Sequence, residues 1–109
     1  MIITTNLIPA PYWAITIWPF IFVSPDRISD KGILVHESVH YNEQHLITPI
    51  WWLRYLLSTK FRVAAEVRAY TAQVASGEIS TTDAATWLMT YDKSLTLEQA
   101  HRLICGSPL

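Results

Sequence analysis

From residue 13 to 18 the chain reads Trp13-Ala14-Ile15-Thr16-Ile17-Trp18, with Trp13, Ile15 and Ile17 alternating with the other three. A period of two predicts a strand. Phe20-Ile21-Phe22-Val23 follows, β-branched and aromatic, which suits a pleated and largely buried strand. Pro19 separates the two runs, and Pro25-Asp26 ends the second with a turn signal. Residues 1–24 are therefore expected to form a small sheet of two or three short strands.

The pattern then turns helical. Ser29 or Asp30 can cap a helix that starts near Lys31 and runs to about His45 or Leu46, with Pro49 stopping or kinking it. A second helical stretch, 50–58, is rich in Trp, Leu and Tyr, with Arg54 as its one charge. A third runs from about Arg62 to Ser76, and Gly77 is a plausible C-cap. Ser80 with Asp83 makes a capping-box pattern for a fourth helix, to about Tyr91. Thr96 with Gln99 makes another, for a short helix ending near Gly106. Strands first and helices after give an α+β class: a small N-terminal sheet followed by about five helices.

Composition narrows the field. The 109 residues fit one domain, 1–109. Half the residues are hydrophobic and 16% are charged, too apolar a chain for disorder. Eight Lys+Arg against nine Asp+Glu leave a net charge of −1 with no basic cluster, so no nucleic-acid partner is expected. The single cysteine, Cys105, excludes an intramolecular disulfide and a Cys-rich zinc site. It reads as a small buried hydrophobe, and with His101 it would make only a poor two-ligand site. The first 25 residues carry no side-chain charge, yet Pro9, Pro11 and Pro19 interrupt them, and no basic segment follows Met1. Neither a signal peptide nor a transmembrane span is expected, and a cytoplasmic, reducing location follows. Contact with a membrane surface stays open.

The chemistry lies in His36-Glu37-Ser38-Val39-His40, an HExxH sequence inside the first expected helix. Histidines four apart leave a helix about 40° from one another, so both imidazoles can grip one metal ion. Glu37 projects between them, close enough to act on a water held there. Catalytic zinc takes three protein ligands and leaves a position for water, which a carboxylate can deprotonate. His36, His40 and Gln44 share one stripe of the helix with Glu37 at its edge, and Val35, Val39 and Leu46 share another, expected to pack. Ordinary, partly buried histidines are the plain alternative.

The third ligand could be Glu43, His45, Glu66, Glu78, His101 or an aspartate. Glu43, three residues past His40, is poorly aimed, and His45 projects to the wrong side. Glu66 is favoured. It flanks a core stripe of Val63, Val67, Tyr70 and Val74, where a carboxylate must find a cation or shift its pKa. Its plain alternative is an ion pair with Arg62. Tyr70, one turn on, can donate to Glu66 or to an oxyanion, or serve only as a core tyrosine.

The segments LVHESVHYNEQ, ITPIWWLRYLL and FRVAAEVRAY together resemble small HExxH metallopeptidase-like proteins of bacteria and their phages, within the gluzincin-like zincins. The likeness spans residues 33–70, with a compatible strand pair before it. It implies His36, His40 and Glu66 as ligands of one zinc ion, and Glu37 as general base and acid. Gln44 matches a Gln that the family carries shortly after the second His. The chain departs from secreted zincins in its length and in lacking their lower subdomain.

The leading expectation is a zinc-dependent peptidase acting on a peptide or protein substrate, which could pair with an exposed edge of the sheet. Tyr70 or Arg54 is a candidate to steady the oxyanion. A second expectation is a non-catalytic, zinc-stabilised binding module, with Trp13/Trp18 and Trp51/Trp52 as contact residues or as a homo-oligomer face, although clusters of this kind are more often core. A third is a metal-free domain carrying the motif by accident.

Overall fold

In the computed structural model, which describes residues 1–8 and 12–105, strands β1 (Ile2–Thr4), β2 (Ala14–Ile17) and β3 (Phe20–Val23) form one sheet in the order β1-β3-β2. The breaks expected at Pro9 and Pro11 and the helix end near Gly106 fall outside the described residues. β2 and β3 are antiparallel and turn at Trp18-Pro19, whose peptide is cis. β1 joins β3 in parallel. Opposed residues share a face, so Ala14 with Val23 and Thr16 with Ile21 look one way, and Ile15 with Phe22 and Ile17 with Phe20 look the other. The first face is the buried one: Thr16, Ile21 and Val23 are buried, while Ile17 is exposed.

A 3-10 turn at Pro25–Arg27 and five α-helices follow among the described residues, confirming the α+β class. α1 spans Lys31–Gln44, and the Asp30 carboxylate caps it by accepting from the Ile33 amide at 3.2 Å. α2 is Thr48–Leu57, two residues earlier than expected, because Pro49 sits in the first turn, where a missing N–H costs nothing. α3, Thr59–Ala75, begins three residues early because the Ser58 hydroxyl accepts from Phe61 N at 3.1 Å. Gly77, with φ of +82°, lies just beyond its end. α4, Thr81–Leu88, is capped by Ser80 as expected but ends before Tyr91. α5 is Leu97–Cys105, and Thr96 and Gln99 cap each other reciprocally at 2.9 and 3.1 Å.

α1 packs between the sheet and α3. Ala65 and Ala69 on α3 are fully buried and have no bulk to hold neighbouring helices apart. Beyond α3, Tyr70, Ala84, Leu88, Ala100 and Ile104 form one core cluster, and Trp51, Tyr55 and Ala65 form a second under α2. No helix among the described residues is long and apolar enough to cross a membrane.

Two expectations about burial are corrected. On α1 the polar stripe is the buried one: Ile33, His36, Glu37, His40 and Gln44 face inward, Val35 and Val39 are half-buried, and Leu46 is exposed. Cys105 is exposed rather than buried, since Ala100 and Ile104 claim the inner face of α5 and one more residue turns about 100° away.

Candidate metal centre

One turn of α1 separates His36 from His40, and their rings meet edge to face at 5.0 Å between centroids. Glu66, on α3 opposite, brings Oε1 to 2.9 Å from His36 Nε2 and 3.1 Å from His40 Nε2. The three side chains are buried, and one ligand atom from each lies within 4.8 Å of the others. The expected trio is thus assembled from two helices thirty residues apart.

Each member is held from behind. His36 Nδ1 lies 3.0 Å from Gln73 Oε1, and His40 Nδ1 lies 3.5 Å from Glu43 Oε1. An acceptor behind a ring places the proton on Nδ1 and turns the Nε2 lone pair forward. Glu66 Oε2 accepts from the Tyr55 hydroxyl at 2.5 Å. Glu43 also accepts from Trp51 Nε1 at 3.3 Å and Arg68 Nε at 2.5 Å. Gln73 reaches His36 past Gly32, where a Cβ would stand 2.7 Å from Glu78 Cβ and 3.1 Å from Gln73 Nε2.

This arrangement fits a divalent cation. With both imidazoles neutral and protonated at Nδ1, two nitrogen lone pairs and a carboxylate oxygen converge on one buried point. Three acceptors cannot satisfy one another, and a proton or a metal ion must sit among them. In the metal-free state the proton serves. Burial opposes charge on His40, but Glu66, Glu43 and Glu37 outweigh it and push its pKa up to about 10. Burial alone would raise Glu66, yet His40 and His36 hold it well below the usual carboxylate range. Two imidazole nitrogens and one carboxylate oxygen make a common zinc donor set.

Glu37 stands beside the trio. Its Oε2 is 3.7 Å from His36 Nε2, and its Oε1 accepts from Thr16 Oγ1 at 3.0 Å. It lines two cavities, of about 450 and 180 Å³, which meet at His36, Glu37, Tyr12 and Ala14. Trp51, Trp52 and Leu56 wall the larger, and Trp13, Ile33 and Trp87 wall the smaller. β2 is the sheet's edge strand beside this cleft. Gln44, fully buried, accepts from Trp18 N and donates to Thr16 O, both at 2.9 Å, and so pairs with β2 as a neighbouring strand would. Trp52 Nε1 also donates to Thr16 O, at 3.2 Å. The edge beyond, at Ala14, faces the cleft.

The contacts separate the alternatives that the sequence left open. Tyr55, not Tyr70, donates to Glu66. Tyr70 packs its ring against His36 at 4.3 Å and lines the smaller cavity. Arg62 does not pair with Glu66. It donates to Tyr55 O, Tyr91 O and Thr59 Oγ1. Arg54 lies on the outer side of α2 with its guanidinium 4.6 Å over Phe61, away from the cavities. The tryptophans are largely inward: Trp51 is buried and stacks on Tyr55 at 4.9 Å, and Trp13 packs edge-on against Trp87. Sequence reasoning missed Tyr55, Thr16 and Gln73. Gln73 had a local signal, lying seven residues past Glu66 on the same face of α3. Comparison with protein-family models, characterised proteins and solved structures gives no match to this chain.

Proposed function

We propose that the chain is a zinc-dependent peptidase, with His36, His40 and Glu66 holding the ion and Glu37 moving the proton. The observation that carries this reading is the convergence of three acceptor atoms on one buried point, with a second, unligated carboxylate at the cavity wall beside it. Zinc held there would polarise a peptide carbonyl and ease deprotonation of a water. Glu37 takes the proton of the attacking water and delivers it to the leaving nitrogen. Thr16 fixes the Glu37 carboxylate by its hydrogen bond to Oε1, which leaves Oε2 for that transfer. The apolar walls on either side of Glu37 favour apolar side chains flanking the scissile bond. An extended peptide would add to the β2 edge at Ala14. Tyr70, beside His36 in the smaller cavity, is the remaining candidate donor to the oxyanion.

The test is Glu37→Gln. The variant keeps its zinc content and loses about 10²–10⁴-fold in cleavage of a quenched peptide library. Undiminished turnover with full zinc would sink the mechanism. One observation favours a second reading, a zinc-stabilised binding module: a metal held by His36, His40 and Glu66 would staple α1 to α3, and Tyr55 ties α2 to the same Glu66. Zinc removal lowers the melting temperature on both readings. Peptide hydrolysis belongs to the first alone.

A further inference from the structure

Among the described residues the outer face of α2 is apolar and unpartnered. Ile50, Leu53, Leu56 and Leu57 stand 59–78% exposed along it, and Leu46 and Ile47 extend it at its N-terminal end. Trp51 and Tyr55 hold the opposite face against the core. Leu46 is unusual twice over: it is 74% exposed, and its φ of +65° is a left-handed conformation that leucine disfavours.

Charge around the face points to what covers it. Residues 45–65 contain Arg54, Lys60 and Arg62 and none of the nine acidic residues. Arg54 and Lys60 are exposed. A second copy meeting this face about a twofold axis would bring the cations of α2 and Lys60 together, and residues 45–65 offer no acid to pair them. An anionic lipid surface suits both features: leucines enter the acyl boundary, and Arg and Lys extend their stems along it to reach phosphates. Ten residues are too few to span, so the helix lies in the interface plane.

We propose that α2 is a docking helix for an anionic lipid bilayer, seated through Leu46, Ile50, Leu53 and Leu57 with Arg54 and Lys60 at the headgroups. Leu56 belongs both to this face and to the wall of the larger cavity, so docking sets the cleft mouth beside the lipid. Docking stands independently of the hydrolase reading. Where both hold, the substrate is a membrane-proximal polypeptide.

The experiment is co-sedimentation of the full chain with vesicles of phosphatidylcholine alone and of phosphatidylcholine mixed with phosphatidylglycerol. Binding is expected to the mixed vesicles and to weaken as salt rises. Each basic group contributes about fivefold, so Arg54→Gln with Lys60→Gln weakens it by about 25-fold. Leu53→Glu abolishes it. Leu46→Gly relieves the backbone and weakens binding with no fall in melting temperature, which separates docking from folding. Absence of binding to the mixed vesicles overturns the proposal. So does a concentration-dependent dimer that Leu53→Glu dissociates while vesicles capture nothing, since the face then belongs to a second copy. Binding to both vesicle types alike, insensitive to salt and to the charge variants, also overturns it.

Discussion

Replacing Tyr55 by Phe removes one oxygen atom from beside the His36/His40/Glu66 cluster and leaves the rest of the ring in place. The stack on Trp51, at 4.9 Å and 20° between planes, does not involve the hydroxyl. What is lost is the 2.5 Å bond to Glu66 Oε2, made between two buried side chains. A hydrogen bond to a charged group contributes about 1.5–3 kcal/mol. At about 1.4 kcal/mol per decade, that is roughly 10- to 100-fold, the range expected for a group that orients a metal ligand. Tyr70→Phe is the internal control. Tyr70 is as deeply buried and sits against His36, but its hydroxyl is not bonded to Glu66. Competition with a fluorescent chelator measures zinc affinity of both variants at one pH. Tyr55→Phe should bind zinc about 10- to 100-fold more weakly, and Tyr70→Phe within about threefold of wild type. Equal losses in the two variants, or none in Tyr55→Phe, would refute the assignment of Tyr55 as the side chain that holds Glu66.

Three further predictions follow from the same geometry. Gln44→Ala strips the partners from Trp18 N–H and one donor from Thr16 C=O, at about 1–3 kcal/mol for each group left buried and unpaired. The melting temperature should drop by on the order of 10 °C, and an unchanged midpoint would refute the strand-like role of Gln44. Gly32→Ala sets a Cβ 2.7 Å from Glu78 Cβ and crowds Gln73, so stability should fall by about 1–3 kcal/mol and zinc affinity with it; calorimetry on the metal-free and zinc-loaded protein reads both. In chelated protein His40 is raised from 6.5 to about 10. A raised folded value contributes stability that is complete below about pH 6.5 and lost as pH rises through 10, so the urea midpoint should decline across that window. Zinc affinity should rise over the same window, because binding displaces the His40 proton. A midpoint that climbs with pH would contradict the burial of a charged His40 against Glu66.

The α+β order, the five helices and the grouping of His36, His40 and Glu66 were legible because each leaves a mark in the local pattern. Asp30, Ser80 and the Thr96/Gln99 pair announce helix starts through hydrogen bonds within four residues. His36 and His40 share a face because a helix repeats every 3.6 residues. Glu66 stood out as a carboxylate beside a core stripe. The errors have a common origin. Reading apolar as buried put Val35, Val39 and Leu46 inside and treated the His36–Gln44 stripe as the chemical face alone. That stripe is in fact the most buried part of α1, because nearly every polar group on it meets a partner from another element: Thr16, Trp18, Glu66 or Gln73. Cys105 misled in the opposite direction, since two better-placed neighbours had already filled the inner face of α5.

Spacing along one helix was enough to decide which two imidazoles could share an ion and which carboxylate stood between them. How that site is supported depended on how the helices cross. Tyr55 and Tyr70 lie on different helices, and which hydroxyl reaches Glu66 is set by the packing of α2 and α3, for which the chain carries no short-range code. Thr16 meets Glu37 because β2 is the edge strand nearest α1, a consequence of the β1-β3-β2 order. The apolar face of α2 is likewise a tertiary fact. A run of Trp, Leu and Tyr reads as core until the fold shows that, among the described residues, Trp51, Trp52 and Tyr55 pack into the core while Leu53, Leu56 and Leu57 stay exposed.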